Sequence, residues 1–175
     1  MAGAAALVLV SLAIIFICEP TVADKWTRLA AAKEPALVAR EVQIHPGELL
    51  SSMADDQLKL VILDVRPEAD YNLFHLYGAQ RVAMTSLPLV AEQLAANTAA
   101  NTVYVLVSND ETASTEAWKI MMAQAVPNVY ILEGGVNNWL QIFAAEDHEI
   151  IPTPTPSGED RPAFPASGPR RRPRL

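Results

Sequence analysis

Three short runs of apolar residues mark the middle of the chain: Leu60 to Leu63, Val103 to Val107 and Val129 to Leu132. None shows the polar alternation of a strand with one wet face, so each predicts a strand covered on both sides, as in a parallel sheet. Between them apolar positions recur at helical spacing over Ser86 to Ala96, and again over Ser114 to Ala125, where Ala117, Ile120, Met121 and Ala125 repeat. This alternation predicts an α/β domain, a small parallel sheet flanked by helices on both faces, with functional loops at the carboxyl ends of the strands.

The two ends of the chain follow other patterns. Ala2 to Cys18 is 17 residues without a charge, at the short limit for crossing a bilayer. Lys25, Arg28 and Lys33 follow it closely, which favours a single-pass anchor with the domain on the cytoplasmic side. The alternative is a signal peptide cleaved near Ala23, after Thr21-Val22-Ala23, with export of the remainder; against it stands the absence of Lys or Arg before the apolar stretch. Lys25 to Arg40 is Ala-rich and predicts a helical spacer interrupted at Pro35. Residues 151–175 hold 7 of the 13 prolines and carry five arginines against Glu159 and Asp160. That composition predicts a disordered or polyproline-like tail. The organisation expected is therefore residues 1–23 as anchor or signal peptide, 24–40 as spacer, 41–149 as the folded domain and 150–175 as tail.

Within the domain a spaced series of motifs resembles the rhodanese-like family of thiosulfate and related sulfurtransferases. Ile44-His45-Pro46-Gly47-Glu48-Leu49-Leu50 is similar to the family's first strand and helix start, and Leu63-Asp64-Val65-Arg66 to its Asp-Val-Arg signature. Tyr71 and His75 to Ala79 resemble the aromatic residue and the Gly-His-Ile-Pro-Gly-Ala stretch that follow it. Val129 to Leu132, Glu133-Gly134-Gly135 and Trp139 resemble the closing Leu-Glu-Gly-Gly and tryptophan. The resemblance implies that Asp64, Arg66, His75, Gly134 and Gly135 hold the fold together.

It also implies a catalytic loop after Val107, built from a cysteine, four variable residues, often an arginine, and a small hydroxyl residue. Here that window reads Ser108-Asn109-Asp110-Glu111-Thr112-Ala113-Ser114, with serine for the cysteine and Ala113 for the arginine. Sulfur transfer needs a thiolate to carry the persulfide, and a serine hydroxyl is a poor nucleophile without an adjacent base. The single cysteine is Cys18, so residues 19–175 contain no thiol. No catalytic residue is assigned. Ser108, Asn109, Asp110, Glu111, Thr112 and Ala113 are instead a degenerate loop and candidate binding surface.

Charge agrees with this reading. Residues 41–149 carry 15 Asp and Glu against 4 Lys and Arg, a balance that repels thiosulfate and other anionic donors. Asp110 and Glu111 also suit the N-terminus of the following helix, and two adjacent carboxylates make no coordination sphere, so no metal or other cofactor is expected. Trp26, Trp118 and Trp139 are expected to pack. The acidic domain disfavours a nucleic-acid partner. The expected function is a membrane-tethered, non-catalytic binding or scaffolding module with a protein partner; the alternative is an enzyme that handles sulfur species with a thiol supplied by that partner.

Overall fold

The computed structural model describes residues 20–144. The apolar stretch Ala2 to Cys18 and the proline- and arginine-rich segment 150–175 lie outside the described residues. Among the described residues, no helix is long and apolar enough to cross a membrane.

In chain order the elements are α1 Val22–Val38, β1 Gln43–Ile44, α2 Pro46–Met53, β2 Lys59–Asp64, α3 Glu68–Leu73 and β3 Gln80–Arg81. They continue with α4 Leu87–Asn97, β4 Thr102–Val107, α5 Thr112–Ala123, β5 Val129–Leu132 and α6 Gly135–Phe143. The five strands form one sheet in the order β1-β5-β4-β2-β3, and every pairing is parallel. This is the α/β fold the apolar runs predict.

Period-two alternation sends each strand's side chains to two cores. From β4, Tyr104 and Leu106 join Ala117, Trp118 and Met121 of α5 and Leu87 and Ala91 of α4 on one face. Val105 and Val107 join Leu49 of α2 and Val136 of α6 on the other. Polar residues have no place at these positions, which is why the three runs are continuously apolar.

Helix α5 starts and stops two residues earlier than its periodicity predicts. Ala125 turns left-handed at φ 60, and the N–H groups of Ala125 and Val126 reach back to the carbonyls of Met122 and Met121 at 3.0 and 3.1 Å. Such crossed bonds close a helix C-terminus.

The segment expected as a spacer is part of the packed domain. Helix α1 begins with a capping box in which Thr21 and Asp24 satisfy each other's backbone N–H groups. It continues through Pro35 rather than breaking there, because the missing N–H falls in the last turn, where only one helical bond is forfeited before the helix ends. Trp26 and Leu37 lie eleven residues apart, three turns on one side, and both pack on the α4–α5 core. Trp26 meets Trp118 edge-on, centroids 6.0 Å apart, and Lys25 Nζ donates to Gln124 Oε1 at 2.7 Å.

The register that places the loops is set by β2 and β4. Asp64 is paired with Val107 at their carboxyl ends, so Arg66 and Ser108 leave the sheet side by side.

Candidate functional site

Ser108 lies at the end of β4 and is 1% exposed. Its Oγ donates to the carbonyl oxygen of Asp110, accepts the Ser114 N–H at 3.1 Å and lies 2.8 Å from Ser114 Oγ. Ser114 Oγ in turn donates to the Glu111 carbonyl at 3.2 Å. The hydroxyl proton has the Asp110 carbonyl and Ser114 Oγ as its acceptors, and no base is among its partners. A serine in this setting stitches the loop to the first turn of α5; it is not an activated nucleophile.

The loop is fixed from below by α6. Gly134 and Gly135 are both left-handed, at φ 65 and 63. This lets the N–H groups of Val136 and Asn137 donate to the carbonyls of Ser108 and Asn109 at 2.8 and 3.0 Å. A Cβ at Gly135 would press against the carbonyl oxygens of Ser108, Asn109 and Asp110. Glycine is required here twice over, for its torsion and for its missing side chain.

The two acidic residues part company. Asp110 is exposed and its Oδ1 accepts the Thr112 N–H at 2.8 Å, supporting the start of α5. Glu111 points instead at α6, where Oε1 accepts the Gly134 N–H at 2.8 Å. The Arg40 guanidinium closes on both of its oxygens, at 2.8 and 3.3 Å, and reaches Glu133 at 3.1 Å. Partial burial raises the Glu111 pKa, but the Arg40 hydrogen bond, the Gly134 N–H, the Arg40 charge and the Gln43 amide outweigh it and hold the carboxyl below its ordinary value. The Glu111 hydrogen bond, against a smaller opposing effect of burial, raises the pKa of Arg40. The expectation that both acids form an open recognition surface is therefore corrected: Ser108 is buried, Glu111 is neutralised by Arg40, and Asn109, Asp110 and Thr112 are the exposed members. Ala113 packs on the core. Arg40 was missed in the sequence because it stands 71 residues before Glu111, in a left-handed turn at φ 58 that no local pattern announces.

Asp64 and Arg66 form a buried pair, 0% and 4% exposed. Arg66 Nε lies 3.0 and 3.1 Å from the two carboxylate oxygens and Nη2 donates to Oδ2 at 2.7 Å. The rest of the guanidinium ties two loops together, donating to the Phe74 carbonyl at 2.6 Å and to Asn109 Oδ1 at 3.3 Å. Asn109 passes the connection on, its amide donating to Asp70 at 2.7 Å. His75 donates from Nδ1 to the Tyr71 carbonyl at 2.9 Å and stacks on the Tyr71 ring at 4.1 Å. Tyr71 itself donates to the Ala79 carbonyl at 2.8 Å. These residues hold α3 and its following loop to the strand ends.

An open groove of about 310 Å³ remains between α3, the loop after β4 and the first half of α6, lined by Arg66, Asp70, Leu73, Phe74, Asn109, Val136, Asn137 and Leu140. Ser108 is not among its lining. Among the described residues no group of three or more His, Cys, Asp or Glu is placed to hold a metal ion.

A parallel α/β domain with a helix-opening loop beside such a groove is the class the geometry defines. The chain belongs to the rhodanese-like domain family, whose model matches residues 45–142. Among solved structures it is similar to a full-length protein from Lactobacillus plantarum, with 20% identity over 65% of this chain and 93% of that one and a TM-score of 0.51. It is also similar to SSP1007 from Staphylococcus saprophyticus subsp. saprophyticus, at 22% identity, covering 55% of this chain and 91% of that one, TM-score 0.47. A third is a rhodanese-like domain protein from Staphylococcus aureus, at 20% identity, 55% and 89% coverage and TM-score 0.47. No curated protein matches the chain.

Proposed function

We propose that this chain is a membrane-tethered rhodanese-like domain that transfers no sulfur and works as a binding module. The observation that carries the reading is the state of Ser108: where the family's chemistry requires a thiolate, this chain has a serine 1% exposed whose hydroxyl is enclosed by the Asp110 carbonyl and Ser114. No cysteine follows Cys18, so the domain has nothing with which to form a persulfide. A thiol brought by a partner would have to reach a position sealed beneath its own loop, which weighs against the enzyme alternative. What stays accessible is Asn109, Asp110 and Thr112, together with the groove that Asn109 borders. The tether is assigned to Ala2–Cys18 on its length and freedom from charge.

The test is affinity purification of the intact chain from membranes, side by side with Asp110→Lys. The expected result is a co-purifying protein, released by salt and lost in the variant, since exposed charges act on encounter and weaken as salt screens them. The same co-purifying set with both chains, undiminished by salt, would place binding elsewhere.

A further inference from the structure

The groove beside Asn109 has an apolar floor and an acidic rim. Leu73 is 86% exposed and Phe74 is 37% exposed, and Leu140 and the buried Val136 of α6 complete the apolar lining. Arg66 is the one cation in the lining, and Asp64 neutralises it at 2.7 Å. Asp70 lies in the lining, and Asp110 follows the lining residue Asn109 in the chain, so the charge met by an approaching ligand is negative. More widely, the described residues 20–144 hold 14 Asp and Glu against 8 Lys and Arg. Such a surface selects a ligand with one bulky apolar group and flanking positive charge.

The chain carries a segment of that description. Phe164 is the one aromatic residue in 151–175; it lies between Pro162 and Pro165, with Arg161 before it and Arg170, Arg171, Arg172 and Arg174 after it. Proline on either side biases such a stretch toward the extended form that apolar grooves receive at low entropic cost. The connection is also long enough. Helix α6 supplies part of the groove and ends at Phe143, so the chain leaves the described residues about 12 Å along the helix from Val136. Phe164 stands 20 positions after Ala144, a reach of roughly 65 Å when extended. A ligand tethered so closely meets its site at an effective concentration in the millimolar range.

We propose that the groove is the docking site of the chain's own carboxyl-terminal segment, with Phe164 on the apolar floor and the arginines against Asp70 and Asp110. The inference rests on the binding reading above and names an internal ligand for the same surface, one that an external partner has to displace.

The experiment uses the full chain, isotope-labelled and held in a non-ionic detergent so that no anionic headgroup competes for the arginines. Wild type is compared with Phe164→Ala and with Leu73→Ser, an uncharged change at a side chain that is already in solvent and does not endanger the fold. The expected result is that both variants, and high salt in the wild type, move the amide resonances of Asn109 and Asn137 the same way and give residues 160–172 fast local motion. These shifts should not depend on protein concentration. Unchanged groove amides in Phe164→Ala would overturn the proposal and leave the partner-capture test of the binding reading untouched. Concentration-dependent shifts would put the segment of a second copy in the groove and overturn the intrachain form.

Discussion

Gly135→Ala tests the geometry of the loop most sharply, because a second glycine supplies its control. An L-residue in the left-handed region costs roughly 1–2 kcal/mol. Gly78 and Gly135 share that penalty, at φ 76 and 63. They differ in space. A Cβ at Gly78 meets nothing within 4 Å, whereas at Gly135 it would stand 2.6 Å from the Asp110 carbonyl oxygen and 2.7 Å from that of Asn109. Those contacts are with backbone, which cannot swing aside as a long side chain does, so relief requires the loop to lift off α6. Forced overpacking of this kind costs typically about 1–3 kcal/mol, and lifting the loop also weakens the Val136 and Asn137 hydrogen bonds to it. Both substitutions reduce the freedom of the unfolded chain by the same amount, about 0.4–1 kcal/mol, which cancels in the comparison. Gly135→Ala is therefore expected to be less stable than Gly78→Ala by roughly 1–3 kcal/mol. Urea unfolding measures the difference, read from the midpoints at unchanged slope. Equal midpoints for the two variants would show that α6 does not clamp the loop.

Further outcomes follow from the ion pairs and from Ser108. Asp64→Asn leaves Arg66 buried without its counter-charge and should cost about 3–5 kcal/mol; a loss below 1 kcal/mol in the same urea assay would mean that the pair does not hold the loops. Glu111 has a folded pKa below its ordinary value of 4.5, so its contribution is present at pH 7 and lost as pH falls through the folded value. The wild type's advantage over Glu111→Gln, up to about 1 kcal/mol for so accessible a pair, should therefore shrink on titration below about pH 4.5; an advantage that is constant down to pH 3 would refute the Arg40 contact. Ser108→Cys should give a thiol that reacts slowly with iodoacetamide and restores little sulfur transfer, because it sits beneath the loop facing the Asp110 carbonyl; fast alkylation at neutral pH would show the loop to be open.

What could be read from the sequence was what burial on both faces imposes. The runs at β2, β4 and β5 had to be apolar throughout, so those strands were legible to within a residue. The two-residue strands β1 and β3 are too short to carry a period. Helix α1 looked like a spacer because its contacts rest on Trp26 and Leu37, two residues in an alanine-rich background, and because Pro35 near a C-terminus looks the same as a helix break. At the site, the serine that follows β4 was legible from the sequence alone. The seal over it was not, because it depends on carbonyls turned toward Gly135. Glu111 and Arg40 meet only once the sheet has formed, so the sequence shows an open acidic patch where the structure has an ion pair.

Absence of sulfur transfer is tested most directly with the full chain carrying Cys18→Ser, which removes the last thiol. Purified in non-ionic detergent and given thiosulfate and cyanide, it should produce thiocyanate at the rate of the protein-free buffer, and it should gain no sulfur by intact mass after incubation with thiosulfate alone. Thiocyanate formation that rises in proportion to the concentration of this cysteine-free chain would contradict the non-catalytic reading outright.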